Sequence, residues 1–278
     1  MSVISAADVN KLRQMTGAGM MDCKNALKES DGDFEKAIDN LRKKGQKVAA
    51  KRADRDANEG IVLAKTTDDK TYAAVMMLNC ETDFVGKTPE FAGLAKEIME
   101  AGVGSRIKTV DELKGLKLNG ITIDEKLNEM LGKTGEKVQL AHYEVIEAPV
   151  TFAYNHHGSR LATILGMSKP EAKNVGEMGH ELAMQIAAMS PVAIDKEDVT
   201  AETIDRELEI GREQARQEGK PEEMIEKIAT GKLTKFYREQ TLLNQDFVRD
   251  TKKTVRQYLA DNDKDIKVTS FKRLMLGA

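Results

Sequence analysis

Apolar positions at the start of the chain recur at helical spacing. Ser5 stands where a helix N-cap would, and Val9, Leu12 and Met15 follow on one face, which predicts a first helix. Gly17 and Gly19 break it. A second helix is expected from about Met20 to Leu27, with Met21, Ala26 and Leu27 on its inner side. Asp31-Gly32-Asp33 is turn and N-cap chemistry. Phe34, Ile38 and Leu41, with Ala37 beside them, make the stripe of a third helix. Gly45 reads as its end, with Lys43, Lys44 and Lys47 where the helix dipole favours cations. A unit as small as residues 1–45 is marginal on its own. Residues 46–59 hold almost no large apolar side chain and read as a helical or flexible linker.

After Gly60 the period shortens. IVLAKTTDDKTYAAVMMLNCET reads as two strands around the turn Asp68-Asp69-Lys70. Phe91 to Ala101 is an amphipathic helix carrying Phe91, Leu94, Ala95 and Ile98, and Asp124 to Leu131 is another; KVQLAHYEVIEA is a strand. The same order then recurs. VTFAYNHHGSRLATILGMS is strand, turn, strand; GHELAMQIAAMSP is a helix with Leu182, Ile186 and Met189 as its stripe; the last stretch is helix then strand. Leu131 precedes Val138 by the interval that separates Leu259 from Ile266. The expected class is α+β: an N-terminal three-helix module and two duplicated subdomains, 60–148 and 149–278, each a small antiparallel sheet covered by helices. The second copy alone carries an insertion, about 199–243. Its charged arms bear Ile204 and Leu208, then Met224, Ile228 and Phe236, with Gly219 and Pro221 between. This predicts a projecting antiparallel helical hairpin.

Composition narrows the function. A length of 278 residues suggests about two domains, and 32% charged residues is above the usual share. A net charge of −3 disfavours an electrostatic grip on nucleic acid, and 4% aromatics with no Trp disfavours stacking platforms for single strands. Cys23 and Cys80 are too few for a disulfide scaffold. No apolar run approaches ~18 residues, so no membrane span is expected. MSVISAADVN has neither the basic nor the apolar region of a leader, and the expected compartment is a reducing cytoplasm.

Three stretches could carry chemistry. Thr16 to Cys23 lacks the lysine and the preceding strand of a phosphate loop. It is either a helix–helix turn with two core methionines, Met20 and Met21, or a turn that exposes one of them to a partner. In Thr82-Asp83-Phe84-Val85, either Thr82 or Asp83 caps a helical turn with Phe84 packed inward, or the unpaired acid and the aromatic form an exposed wedge. The second repeat has Met167-Ser168-Lys169-Pro170 there, without that pair. His156 and His157, with His142 and His180, lack metal-ligand spacing, so no metal or cofactor is expected. A hydrolase using His156, His157 and Asp83, or an RNA-binding ribosome-associated module, are the alternatives from other classes.

VNKLRQMTGAGMMDCKNALKESDGDFEKAIDNLRKKG resembles the amino-terminal module of the bacterial elongation factor Ts family. NCETDFVGKTPEF resembles its second signature, and GKPEEMIEKIATGKLTKFYREQTLLNQDFVRD is similar to its coiled-coil segment. The resemblance spans the chain in order. It implies a non-enzymatic guanine-nucleotide exchange factor for elongation factor Tu, with a ubiquitin-associated-like module, two related core subdomains and a coiled-coil protrusion. By motif, Arg13, Met20 and Met21 would touch the GTPase domain. Thr82, Asp83, Phe84 and Val85 would form the magnesium-displacement loop, with Asp83 and Phe84 as the wedge, and His157 would face another domain of the partner. No direct nucleic-acid or membrane contact is implied, and a homodimer or a heterotetramer with the partner is left open. Family members often carry an extra carboxy-terminal helix after the last strand. Contacts attributed to that helix are not carried over, because here the chain runs from Phe271 straight to Ala278.

Overall fold

The computed structural model of the chain describes residues 4–51 and 55–277. Ser5 caps α1 (Ala6–Thr16). Its hydroxyl accepts from the Asp8 N–H at 3.1 Å, and the Asp8 carboxylate accepts from the Ser5 N–H at 3.0 Å. Gly17, at φ +67°, closes the helix in the left-handed conformation that glycine adopts without strain. α2 (Met20–Glu29) and α3 (Phe34–Lys51) complete a bundle whose core is Val9, Leu12, Ala18, Cys23, Ala26, Leu27 and Ala37. Two inward assignments are corrected: Met15 is 57% exposed and Met21 62%. Both flank the Gly17–Gly19 turn, where the small Ala18 fills the interior, so no large side chain is needed there.

Gly45 does not end α3. The helix continues to Lys51, and Gly45 is buried against α7 (Ile123–Thr134), where a Cβ would lie 3.1 Å from the Asn128 carbonyl oxygen. The glycine permits a close helix crossing rather than a stop. The expected linker is thus helical at its start, and residues 52–54 lie outside the described residues.

The rest of the chain is mixed α and β. β1 (Glu59–Thr66), β2 (Tyr72–Cys80) and β5 (Val138–Glu147) form an antiparallel sheet in that order. β6 (Val150–Asn155), β7 (Leu161–Met167) and β10 (Val268–Met275) form a second, again with the middle strand second in sequence. Between β2 and β5 run α4 (Asp83–Gly86), α5 (Pro89–Gly104), α6 (Val110–Gly115), the short hairpin β3–β4 (117–122) and α7. Between β7 and β10 run α8 (Val175–Met189), α9 (Ala201–Gln217), α10 (Glu222–Gln240), the hairpin β8–β9 (246–254) and α11 (Val255–Asn262). α4, α6 and both short hairpins are too brief for periodicity to reveal.

β2 is buried at all nine positions, because the sheet is covered on both faces. Tyr72, Ala74, Met76, Leu78 and Cys80 pack with Phe91, Leu94 and Ile98 of α5 and Leu127 of α7. Ala73, Val75 and Met77 face the second sheet, meeting Ala162 and Ile164 of β7. The outer face of that sheet packs on Met178, Leu182 and Ile186 of α8 and Val255 and Leu259 of α11. The layers are therefore helices, sheet, sheet, helices. Met189, expected on the stripe of α8, is exposed at its last turn.

α9 and α10 pack chiefly on each other, joined through Gly219 at φ +69°. Their seam runs through Gly211, Ala215, Ile225 and Ala229, and a Cβ at Gly211 would lie 3.0 Å from the Ala229 Cα. Small residues let the backbones approach, so Met224 is left exposed and Ile204, Leu208, Ile228 and Phe236 are only half-buried. Among the described residues no helix is long and apolar enough to cross a membrane.

Candidate functional site

The loop after β2 alternates anchored and free side chains. Cys80 is buried at the strand end, its Sγ 3.1 Å from the Thr82 carbonyl oxygen, and burial pushes its thiol up to about 12. It is a neutral packing group, not a nucleophile. Thr82 begins α4 without using its side chain as a cap. Its N–H and hydroxyl instead donate to the two carboxylate oxygens of Glu136, at 3.0 and 2.7 Å. Val85 is buried in the core under α5. Thr88 then caps α5, accepting from the Phe91 N–H at 3.3 Å, with Pro89 in the first turn.

Between these fixed points Phe84 is 82% exposed. The reading that packs Phe84 inward is overturned. Asp83 is not unpaired: its carboxylate accepts from Lys87 Nζ at 2.5 Å, one turn on. That hydrogen bond and the Lys87 charge hold its carboxyl below the usual range. The acid therefore stays ionised at neutral pH, held beside the ring by Lys87.

His157 is exposed in the turn between β6 and β7, where Gly158 takes φ +84° and Ser159 φ +53°. That turn is fastened to the first sheet. The Ser159 carbonyl accepts from the Val62 N–H at 2.8 Å, and the Asn155 amide bonds both the N–H and the carbonyl of Ala64, at 2.7 and 2.8 Å. Arg160 pairs with Glu59 at the start of β1, at 2.5 Å. The Glu59 hydrogen bond raises the Arg160 guanidinium, with a smaller contribution from the charge of Asp83. The His157 turn is thus fastened along β1, with Arg160 at the Glu59 end, where β2 ends opposite and the Phe84 loop begins.

Arg13, Met20 and Met21 are exposed on the helical module, with Met20 and Met21 opening α2 after the Gly17–Gly19 turn. The core alternative for the methionine pair is overturned. The module is seated on α7 through Arg42, whose Nε donates to Glu129 at 3.2 Å, and through Gly17, where a Cβ would lie 2.9 Å from Lys133 Cδ. A cleft of about 370 Å³ runs along this seam, lined in part by Met15, Ala18, Ile38, Leu41 and Leu131. Glu136 and the exposed Met15 were not anticipated. Met15 looked like one more member of an apolar stripe, and a glutamate after Thr134-Gly135 carries no signal of its distant partner.

The hydrolase arrangement does not form. His156 Nδ1 is bonded to the Tyr154 hydroxyl at 2.9 Å, and Asp83 is bonded to Lys87. Among the described residues no three His, Cys, Asp or Glu side chains converge as a metal site.

Comparison with known proteins is consistent along the whole chain. The sequence profile of the family described as Elongation factor TS matches residues 81–278. The chain is 47% identical over 275 residues to Elongation factor Ts of Amoebophilus asiaticus, covering 99% of each. It is 48% identical over 278 residues to Elongation factor Ts of Cytophaga hutchinsonii, and 48% over 277 residues to that of Flavobacterium psychrophilum, covering 100% of each chain in both cases. With a family profile over most of its length and relatives this similar from end to end, the chain belongs to the elongation factor Ts family.

Proposed function

We propose that this chain is a guanine-nucleotide exchange factor that docks on elongation factor Tu and speeds release of GDP by inserting Phe84 beside the nucleotide site. The observation that carries the reading is a phenylalanine left 82% exposed on an anchored turn. Exposure of so large an apolar side chain is unfavourable in water, and covering it with a partner would recover that free energy.

The factor makes and breaks no bond. A nucleotide held at nanomolar affinity is bound by ~12 kcal/mol, and a protein loosens it only by binding the empty partner more tightly than the loaded one. That requires a docking surface and an intruding element. Arg13, Met20 and Met21 on a ubiquitin-associated-like module (residues 1–45) and His157 on the second subdomain (149–278) form the surface in this reading. The first subdomain (60–148), after the 46–59 linker, carries the intruder, and α9–α10 is a coiled-coil arm. Phe84 occupies space that the loaded packing of the partner needs. Asp83, ionised beside it and paired with Lys87, would bring its carboxylate to where the partner holds magnesium, and loss of that cation would leave the phosphates without charge compensation. Release of labelled GDP from elongation factor Tu should accelerate when the protein is added, and an unchanged release rate would overturn the proposal.

Docking can be separated from insertion. Changing Met20 and Met21 together to Ala should weaken association with elongation factor Tu by about 1–3 kcal/mol. The melting temperature should hold, because both side chains are exposed. A lowered melting temperature with unaltered affinity would return the pair to the core.

A further inference from the structure

The wedge turn cannot hold itself. α4 is four residues long, far below the length at which an isolated helix is stable, and Thr82 at its start makes no side-chain cap. Besides the buried Val85 and the Asp83–Lys87 pair, what fixes its start comes from a distant part of the chain. Both oxygens of the Glu136 carboxylate are engaged by Thr82, the N–H at 3.0 Å and the hydroxyl at 2.7 Å. The brace is reciprocal: the Glu81 carboxylate accepts the Lys137 N–H at 2.6 Å and Arg55 Nη1 at 3.0 Å. Residues 81–82 and 136–137 are therefore cross-linked by charge-assisted bonds, the stronger kind.

The position of Glu136 adds a second point. It directly follows the left-handed Gly135 cap of α7, at φ +71°. One turn earlier, Lys133 lies under Gly17 of the docking module and pairs with Glu90 of α5 at 2.7 Å. The short stretch 133–137 thus touches the docking turn at one end and the base of the wedge at the other.

We infer that Glu136 is a positioning residue for exchange: by clamping Thr82 it holds the Phe84 wedge at a fixed height and angle relative to the docked helical module. The inference rests on the reading of Phe84 as the wedge. An exposed ring displaces a partner's packing only if its base does not yield first. Without the clamp, docking proceeds as before and insertion becomes inefficient.

The test is stimulated GDP release from elongation factor Tu, titrated with the full chain so that the maximal rate and the half-saturating concentration are read separately. Glu136→Ala should lower the maximal rate about tenfold, as misplacement of a working group by about 1 Å does or exceeds. The half-saturating concentration should stay within about twofold. Glu136→Gln should restore most of the rate, because its carbonyl accepts the Thr82 N–H while its amide donates to the hydroxyl. In a Phe84→Ala background, Glu136→Ala should slow release no further, since the two act as one unit. If Glu136→Ala does not fold, Thr82→Val removes one bond with little change of shape and should lower the maximal rate by a smaller factor. A normal maximal rate in the folded variant, a changed half-saturation alone, or further slowing in the Phe84→Ala background would overturn the inference. Slow exchange by Phe84→Ala with normal exchange by Glu136→Ala removes only the role of Glu136. Normal exchange by Phe84→Ala removes the wedge itself.

Discussion

Phe84→Ala is expected to fold with nearly parental stability and to lose most of its ability to release GDP. The ring is 82% exposed, so its removal leaves no cavity, and the cost should stay within about 0.5 kcal/mol, as for ordinary surface changes. A core phenylalanine cut to alanine costs about 3–5 kcal/mol. A denaturant titration separates the two outcomes without difficulty. Stimulated release should fall about ten- to a hundredfold, the scale on which loss of a positioned group acts. Docking through Met20, Met21 and His157 should persist, because they stand on other elements, the start of α2 and the β6–β7 turn. A strongly destabilised variant, or a stable one with normal release, would end the wedge assignment.

The largest expected loss of stability lies beneath the same loop. Gly60 sits in β1 at φ +144°, a conformation that side chains rarely adopt. A Cβ there would overlap the Leu78 carbonyl oxygen and lie 2.8 Å from the Asn79 Cα, both in the backbone of the central strand β2. Neither can give way without breaking the register that pairs Gly60 with Asn79. Gly60→Ala should therefore cost more than about 3 kcal/mol, combining backbone strain with overpacking. The measurement is chemical denaturation of the purified variant, and a loss under about 1 kcal/mol would show that the strand end relaxes. Gly86 is a useful contrast. A Cβ there meets Cys80 Sγ at 3.3 Å and the Gly60 Cα at 3.5 Å, contacts that a small shift relieves.

The sequence revealed most where a pattern is long. The strands flanking Asp68-Asp69-Lys70, the stripe of α5 and the recurrence of strand, strand, helix and strand revealed two antiparallel sheets and the order of their elements along the chain, because period and element order survive without knowledge of contacts. It misled where a residue has two physical uses. Gly45 reads as a helix stop and serves as a crossing point, and Met15 reads as core and faces outward. Both errors share a cause, since a one-dimensional pattern shows a helix its apolar face but not what packs on it. The Thr82–Val85 signature stood out in the chain, yet whether Phe84 points in or out did not. Glu136 was invisible, because its partner lies more than fifty residues away and only the fold brings them together.

The seam between the two sheets has a mechanical consequence. It is built largely from Ala64, Ala73 and Ala162 alongside Val62, Val75, Ile146 and Ile164, side chains with few rotamers to exchange, with Met77 and Leu276 as its longer members. Such a contact resists shear, since sliding requires methyl groups to climb over one another rather than swivel aside. The His157 turn is tied by Asn155 and Ser159 to β1, so a load applied there would be borne by the strand that the seam holds in place. A softer joint would absorb strain as its own deformation, whereas a seam of this kind would pass it on to the loops at the sheet ends.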